Sequence, residues 1–179
     1  MSKKKTNPRN KPVTRADKQR AKQRITDEIL EREWAILFTV LRDKEGFGIK
    51  RLRRLWEETE RLCTETLKNP LNIEAIMQRL ETDVGLSFDG WWRARARHPR
   101  KVKTAADLKR ESMYSEAAGQ DFAWAVFLDA LSTTAGYGAI RLLRVVSNAG
   151  YLKDSLAEKR ITVRDLALVL RNEAGIDLV

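Results

Sequence analysis

The stretch Trp34 to Arg54, WAILFTVLRDKEGFGIKRLRR, returns ninety positions later as Trp124 to Arg144, WAVFLDALSTTAGYGAIRLLR. The register holds well beyond that motif, so that residues 34–88 pair with 124–178 without a gap. The identical pairs include Trp34/Trp124, Leu41/Leu131, Gly46/Gly136, Gly48/Gly138, Arg51/Arg141, Leu52/Leu142, Arg54/Arg144, Leu80/Leu170 and Gly85/Gly175. The apolar pattern between them is kept in kind, as in Phe47/Tyr137, Ile73/Val163 and Leu86/Ile176. We read this as a duplicated unit of about 55 residues, because self-similarity at a fixed period is the signature of a repeated supersecondary unit.

Each unit reads as three helices and no strand. Ile25, Ile29, Leu30, Trp34, Leu37, Phe38 and Leu41 recur at spacings of three and four, which predicts a long first helix over about 15–43. Thr14 with Asp17 looks like its cap, and Gly46 is its stop. A second helix is expected over about 49–67, broken by Asn69, Pro70 and Leu71. Asn72 then reads as the cap of a third over about 73–83, with Gly85 ending it. Thr162 occupies the matching place in the second unit, and Asp165 follows it. The expected class is all-α: a basic arm at 1–13, a helical module at 14–88, a basic connector at 89–103 and a second module at 104–179.

The net charge of +10 is unevenly placed. Residues 1–24 carry ten Lys or Arg against Asp17 alone, among them Lys18, Arg20, Lys22 and Arg24. Residues 89–110 carry Arg93, Arg95, Arg97, Arg100, Lys101, Lys103, Lys109 and Arg110 against Asp89 and Asp107. The remainder is mildly acidic. Such a distribution points to a polyanionic partner, since each cation set against a phosphate releases condensed counterions. A solubilising tail is the other reading of residues 1–12.

The connector begins DGWWRARARHPRK. Trp91 and Trp92 beside alternating arginines are ingredients for base stacking and phosphate contact. The competing reading is that a tryptophan anchors the connector between the modules. Pro99 interrupts any continuous helix there.

Two helices joined by a GFG or GYG turn also resemble a helix-turn-helix unit, with Arg51 and Arg54, or Arg141 and Arg144, on one face of the second helix. Glu57, Glu58 and Glu60 on the same helix oppose phosphate contact. The alternative pairs these arginines with carboxylates of a neighbouring helix. The aromatic between the glycines reads as a core plug, and Gly48 and Gly138 as points of close helix approach.

Nothing in the sequence assembles a catalytic site. His98 is the one histidine and Cys63 the one cysteine, and the acids Asp83, Asp89, Asp121 and Asp129 are scattered. The Gly-x-Gly pairs follow no strand and lack a P-loop lysine. We therefore expect a non-enzyme without cofactor or metal. With no long apolar run and no apolar signal core behind the first lysines, a cytoplasmic protein is the expectation.

The segments LRDKEGFGIKRLRR at 41–54, ETDVGL at 81–86 and NEAGIDL at 172–178 resemble modules found in small α-helical proteins of phages, prophages and mobile elements of Gram-positive bacteria. The resemblance specifies an architecture more than an activity. Some small basic proteins of that setting are anti-CRISPR proteins, which inhibit RNA-guided nucleases. It implies a phage-type inhibitor that binds nucleic acid, a CRISPR nucleoprotein effector, or both. The alternative is a DNA-binding regulator using its modules as a built-in pseudo-dimer on duplex DNA.

Overall fold

Two long helices carry the architecture, α1 (Arg15–Asp43) and α5 (Ala105–Ala135). The computed structural model describes residues 14–96 and 105–178. The shorter helices are α2 (Ile49–Lys68), α3 (Pro70–Val84), α4 (Asp89–Ala96), α6 (Ala139–Ala157) and α7 (Val163–Ala174), and the described residues include no strand. None of these helices is long and apolar enough to cross a membrane.

α1 and α5 run parallel, side by side. Arg32 reaches Glu116, Trp34 donates its indole N–H to the carbonyl of Ala123, and Phe38 meets Phe127 edge-on with ring centroids 5.0 Å apart. Beyond the helix ends Phe47 meets Tyr137 at 5.9 Å. Leu37, Phe38 and Leu41 on α1, and Val126, Phe127, Leu128 and Leu131 on α5, are fully buried between the helices and their neighbours. The contacts then cross over. α5 lies against α2 and α3, whereas α1 lies against α6 and α7. Both sequence units therefore feed one hydrophobic core, in which Leu52, Ile73 and Met77 share a cluster with Leu142, Leu166 and Leu170.

The elements recur at the ninety-residue offset. α2 and α6 begin ninety positions apart, and Gly46 and Gly136 both take left-handed backbone, at φ 65° and 66°, just past the long helices. Only glycine enters that region without a side-chain clash, so each long helix stops where the sequence places its stop. Thr162 and Asp165 form a reciprocal capping box at the start of α7.

Two expectations are corrected. α3 starts at Pro70 and its cap is Asn69, whose side chain accepts from the Leu71 N–H; Asn72 lies inside the helix. Proline is well placed in the first turn, because the N–H it lacks has no helical partner there. Gly48 and Gly138 do not mediate close helix approach, since a Cβ on either would meet open space. They precede α2 and α6 in extended backbone, and their carbonyls accept the first helical hydrogen bonds. Close approach falls instead to Gly90, where a Cβ would stand 2.9 Å from Ala117, and to Gly119 against Ile29.

Truncating Phe127 to alanine removes a fully buried ring from the α1–α5 seam. It is expected to lower the unfolding free energy by about 3–5 kcal/mol, measured by denaturant titration.

Candidate nucleic-acid interface

The connector's tryptophans are structural. α4 lies along α5, with the Asp121 carboxylate accepting the Trp91 backbone N–H at 2.9 Å near the start of α4. The Trp91 ring stacks on Phe122 at 6.3 Å, and the Trp92 indole donates to Glu81 at 2.7 Å. Burial pushes the Asp121 carboxyl up, against the Trp91 and Gly90 backbone bonds that favour its ionised form. Both indoles are half-buried against the core, which leaves little ring face for a base. Arg95 pairs with Glu74 at 2.7 Å and Arg93 loosely with Asp89 at 3.6 Å, both guanidinium groups remaining largely exposed. Arg97, Arg100, Lys101 and Lys103 lie outside the described residues, as does His98.

Arg20 and Arg24 are exposed on the first turns of α1, Arg24 pairing with Glu28 at 3.3 Å. The side chains of Lys18 and Lys22, on the same turns, are outside the described set. Because α1 has 29 residues, these cations and the GFG turn stand at opposite ends of a helix about 40 Å long.

The GFG/GYG end gathers the remaining arginines. Phe47 and Tyr137 are buried and in contact, so the starts of α2 and α6 are adjacent. Neither start has a side-chain cap or an acidic residue in its first turn. The Arg51 guanidinium lies 4.2 Å from the Phe47 ring centre, and that of Arg141 lies 5.4 Å from Tyr137. Both are cation–π placements that orient the charge without neutralising it. Arg144 behaves differently, closing on Glu45 through both carboxylate oxygens. The Tyr137 hydroxyl also donates to Glu45, at 3.0 Å. Arg144 first, then Tyr137, holds the Glu45 carboxyl below the usual glutamate range in spite of burial. Arg54 contacts no carboxylate among the described residues and lines a cleft with Phe47, Arg51, Leu55, Thr134 and Ala135. Of the four motif arginines, one is thus internally paired and three keep exposed charge.

Further along α2 the positive character ends. Arg61 is held between Glu58 and Glu65, at 2.6 Å from each. On α6 the outward face is apolar instead, with Ile140, Leu143 and Tyr151 exposed along one stripe. The matching residues of α2 are Lys50, Arg53 and Arg61. The stripe is visible in the sequence as a second apolar row on an already amphipathic helix.

Cys63 is buried, and its thiol is pushed up to about 11 by that burial, then by Glu60. It is a core residue with little thiolate. Among the described residues no group of three or more His, Cys, Asp or Glu side chains is arranged to hold a metal ion. Comparison with protein families, curated proteins and solved structures finds no match for this chain.

Because the folded-state Glu45 carboxyl is depressed, its stabilising contribution is complete above the ordinary glutamate range and is lost as pH falls through the depressed value. Replacing Glu45 with Gln is expected to flatten that part of the acid-unfolding profile, read by circular dichroism against the parent chain.

Proposed function

We propose that this chain is a non-enzymatic binding protein whose partner is a nucleoprotein, contacted through nucleic-acid phosphates at the GFG/GYG end. The observation that carries this reading is the convergence there of Arg51, Arg54 and Arg141, exposed and without carboxylate partners among the described residues, beside two uncapped helix starts. Guanidinium groups placed this way suit phosphate oxygens, and oriented backbone N–H groups add to the local positive potential. The exposed Ile140, Leu143 and Tyr151 on α6 begin beside the arginines, which supports a partner offering protein as well as nucleic-acid surface. An RNA-guided CRISPR effector is a partner of that composition, and inhibition of one is the activity that the mobile-element resemblance suggests. The basic first turns of α1, at the far end, provide a second contact for an extended polyanion.

A pseudo-dimer reading two major grooves is less well supported. Recognition elements of such dimers stand about 34 Å apart on the duplex. Here the aromatic residues just ahead of α2 and α6 are 5.9 Å apart. Adjacent helix starts suit a single backbone segment.

The test is a salt series. Binding of a fluorescent duplex, and of a purified guide-loaded effector, is measured for the parent chain and for the combined variant Arg51→Gln, Arg54→Gln, Arg141→Gln. Every guanidinium withdrawn from a duplex phosphate should reduce the slope of log K against log salt by about 0.9. An unchanged affinity and slope on both partners would remove this end of the molecule from the interface.

A further inference from the structure

The two halves treat the same pair of arginines differently, and the difference defines a ligand. Below α6, Glu45 fills the Arg144 fork, its Oε1 accepting from Nε at 2.7 Å and its Oε2 pairing with Nη2, while Tyr137 adds a hydroxyl bond. Ninety positions away Arg141 and Arg144 are retained as Arg51 and Arg54, but Glu45 is matched by Ala135 and Tyr137 by Phe47. Ala135, Phe47, Arg51, Arg54, Leu55 and Thr134 line a cleft of about 240 Å³. The fold therefore keeps the guanidinium fork and replaces the carboxylate that would neutralise it with a methyl group.

We propose that Arg51 and Arg54 bind one backbone phosphate in this cleft, in the place that the Glu45 carboxylate takes in the other half. The fork itself follows from the internal comparison; the choice of phosphate rests on the nucleic-acid reading above. Geometry supports that choice. A carboxylate in the matching place engages the Arg144 fork and leaves Arg141 on its ring. A tetrahedral phosphate directs oxygens out of one plane and meets two guanidinium groups that approach from different directions. Glu45 then acts as an internal anion that makes the interface one-sided: one phosphate site where the duplicated motif would supply two.

The experiment uses the full-length chain labelled with nitrogen-15, following the arginine side-chain Nε–Hε signals during titration with inorganic phosphate and, separately, with sodium acetate. In the parent chain phosphate should move Arg51 and Arg54 saturably and leave Arg144 in place. Ala135→Glu should weaken that phosphate response about tenfold or more, by supplying the missing carboxylate from within. Glu45→Ala should make Arg144 respond with a midpoint near that of Arg54. Arg54→Gln, at an exposed position, should abolish the Arg51 shift without unfolding the chain. No saturable response at Arg54, or one unaffected by Ala135→Glu, would overturn the fork. Saturation by acetate at lower concentration than phosphate would overturn the assignment to phosphate. A short oligonucleotide separates this proposal from the broader one. Undiminished oligonucleotide binding by Ala135→Glu would overturn the fork alone, whereas phosphate binding at the fork without oligonucleotide binding would overturn the nucleic-acid reading alone.

Discussion

The packing of α1 against α5 is the constraint on which everything else depends. Each long helix sends an indole across the seam: Trp34 donates to the carbonyl of Ala123, and Trp124 donates to the carboxylate of Glu33 at 2.6 Å. Positions 33 and 123 are themselves ninety apart, so the two bonds exchange partners as a twofold relation requires. Once the pair is parallel and in register, the turns after both helices fall at one end. There the aromatic of each turn packs on the other, and α2 and α6 start side by side. The interface is thus set by helix packing more than by the turn sequence itself. A one-turn slip of α5 along α1 would separate Phe47 from Tyr137 by about 5 Å more and disperse the arginines.

Differences between the halves locate the sites where they have acquired different work. Glu33 is fully buried and receives Lys153 at 2.7 Å, Arg32 at 3.0 Å and the Trp124 indole. Its counterpart is Ala123, and the counterparts of Arg32 and Lys153 are Phe122 and Cys63. One half therefore closes its seam with an ion cluster and the other with apolar side chains. A buried carboxylate is costly to desolvate and is tolerated only when fully hydrogen-bonded, which three donors achieve here. The apolar version leaves Phe122 free to stack with Trp91, and so to receive α4. On the surface the same divergence gives α2 a charged outer row and α6 an apolar one.

Much of the fold is legible in the sequence because its signals are local. Apolar spacing of three and four marks α1 and α5, and Gly46, Gly85, Gly136 and Gly175 mark helix ends whose left-handed backbone the structure shows. The start of α3 is easily misplaced because two asparagines, Asn69 and Asn72, both offer capping chemistry, and only the Pro70 between them favours the earlier one. What no local signal encodes is the crossing of partners. The apolar face of α5 looks the same in sequence whether it covers α6 or α2, so two separate modules and one shared core have the same pattern. The connector misleads for a similar reason, since Trp91 and Trp92 beside arginines suit base stacking and core anchoring alike. Their environment is decided by Asp121, Phe122 and Glu81, outside the connector itself. The pairing of Glu45 with Arg144 spans 99 positions and is equally out of reach of local signals, although the repeat plainly aligns Glu45 with Ala135.

The central claim is that both halves build one core, so that the arginine end exists only when the whole chain is folded. Equilibrium unfolding of the full chain in guanidinium chloride, with hydrogen exchange read separately for α2–α3 and for α6–α7, tests this most directly. A shared core requires the slowest-exchanging amides of both regions to open with the same free energy and the same denaturant dependence, in one transition. Two transitions, with one pair of short helices opening while the other stays protected, would contradict it.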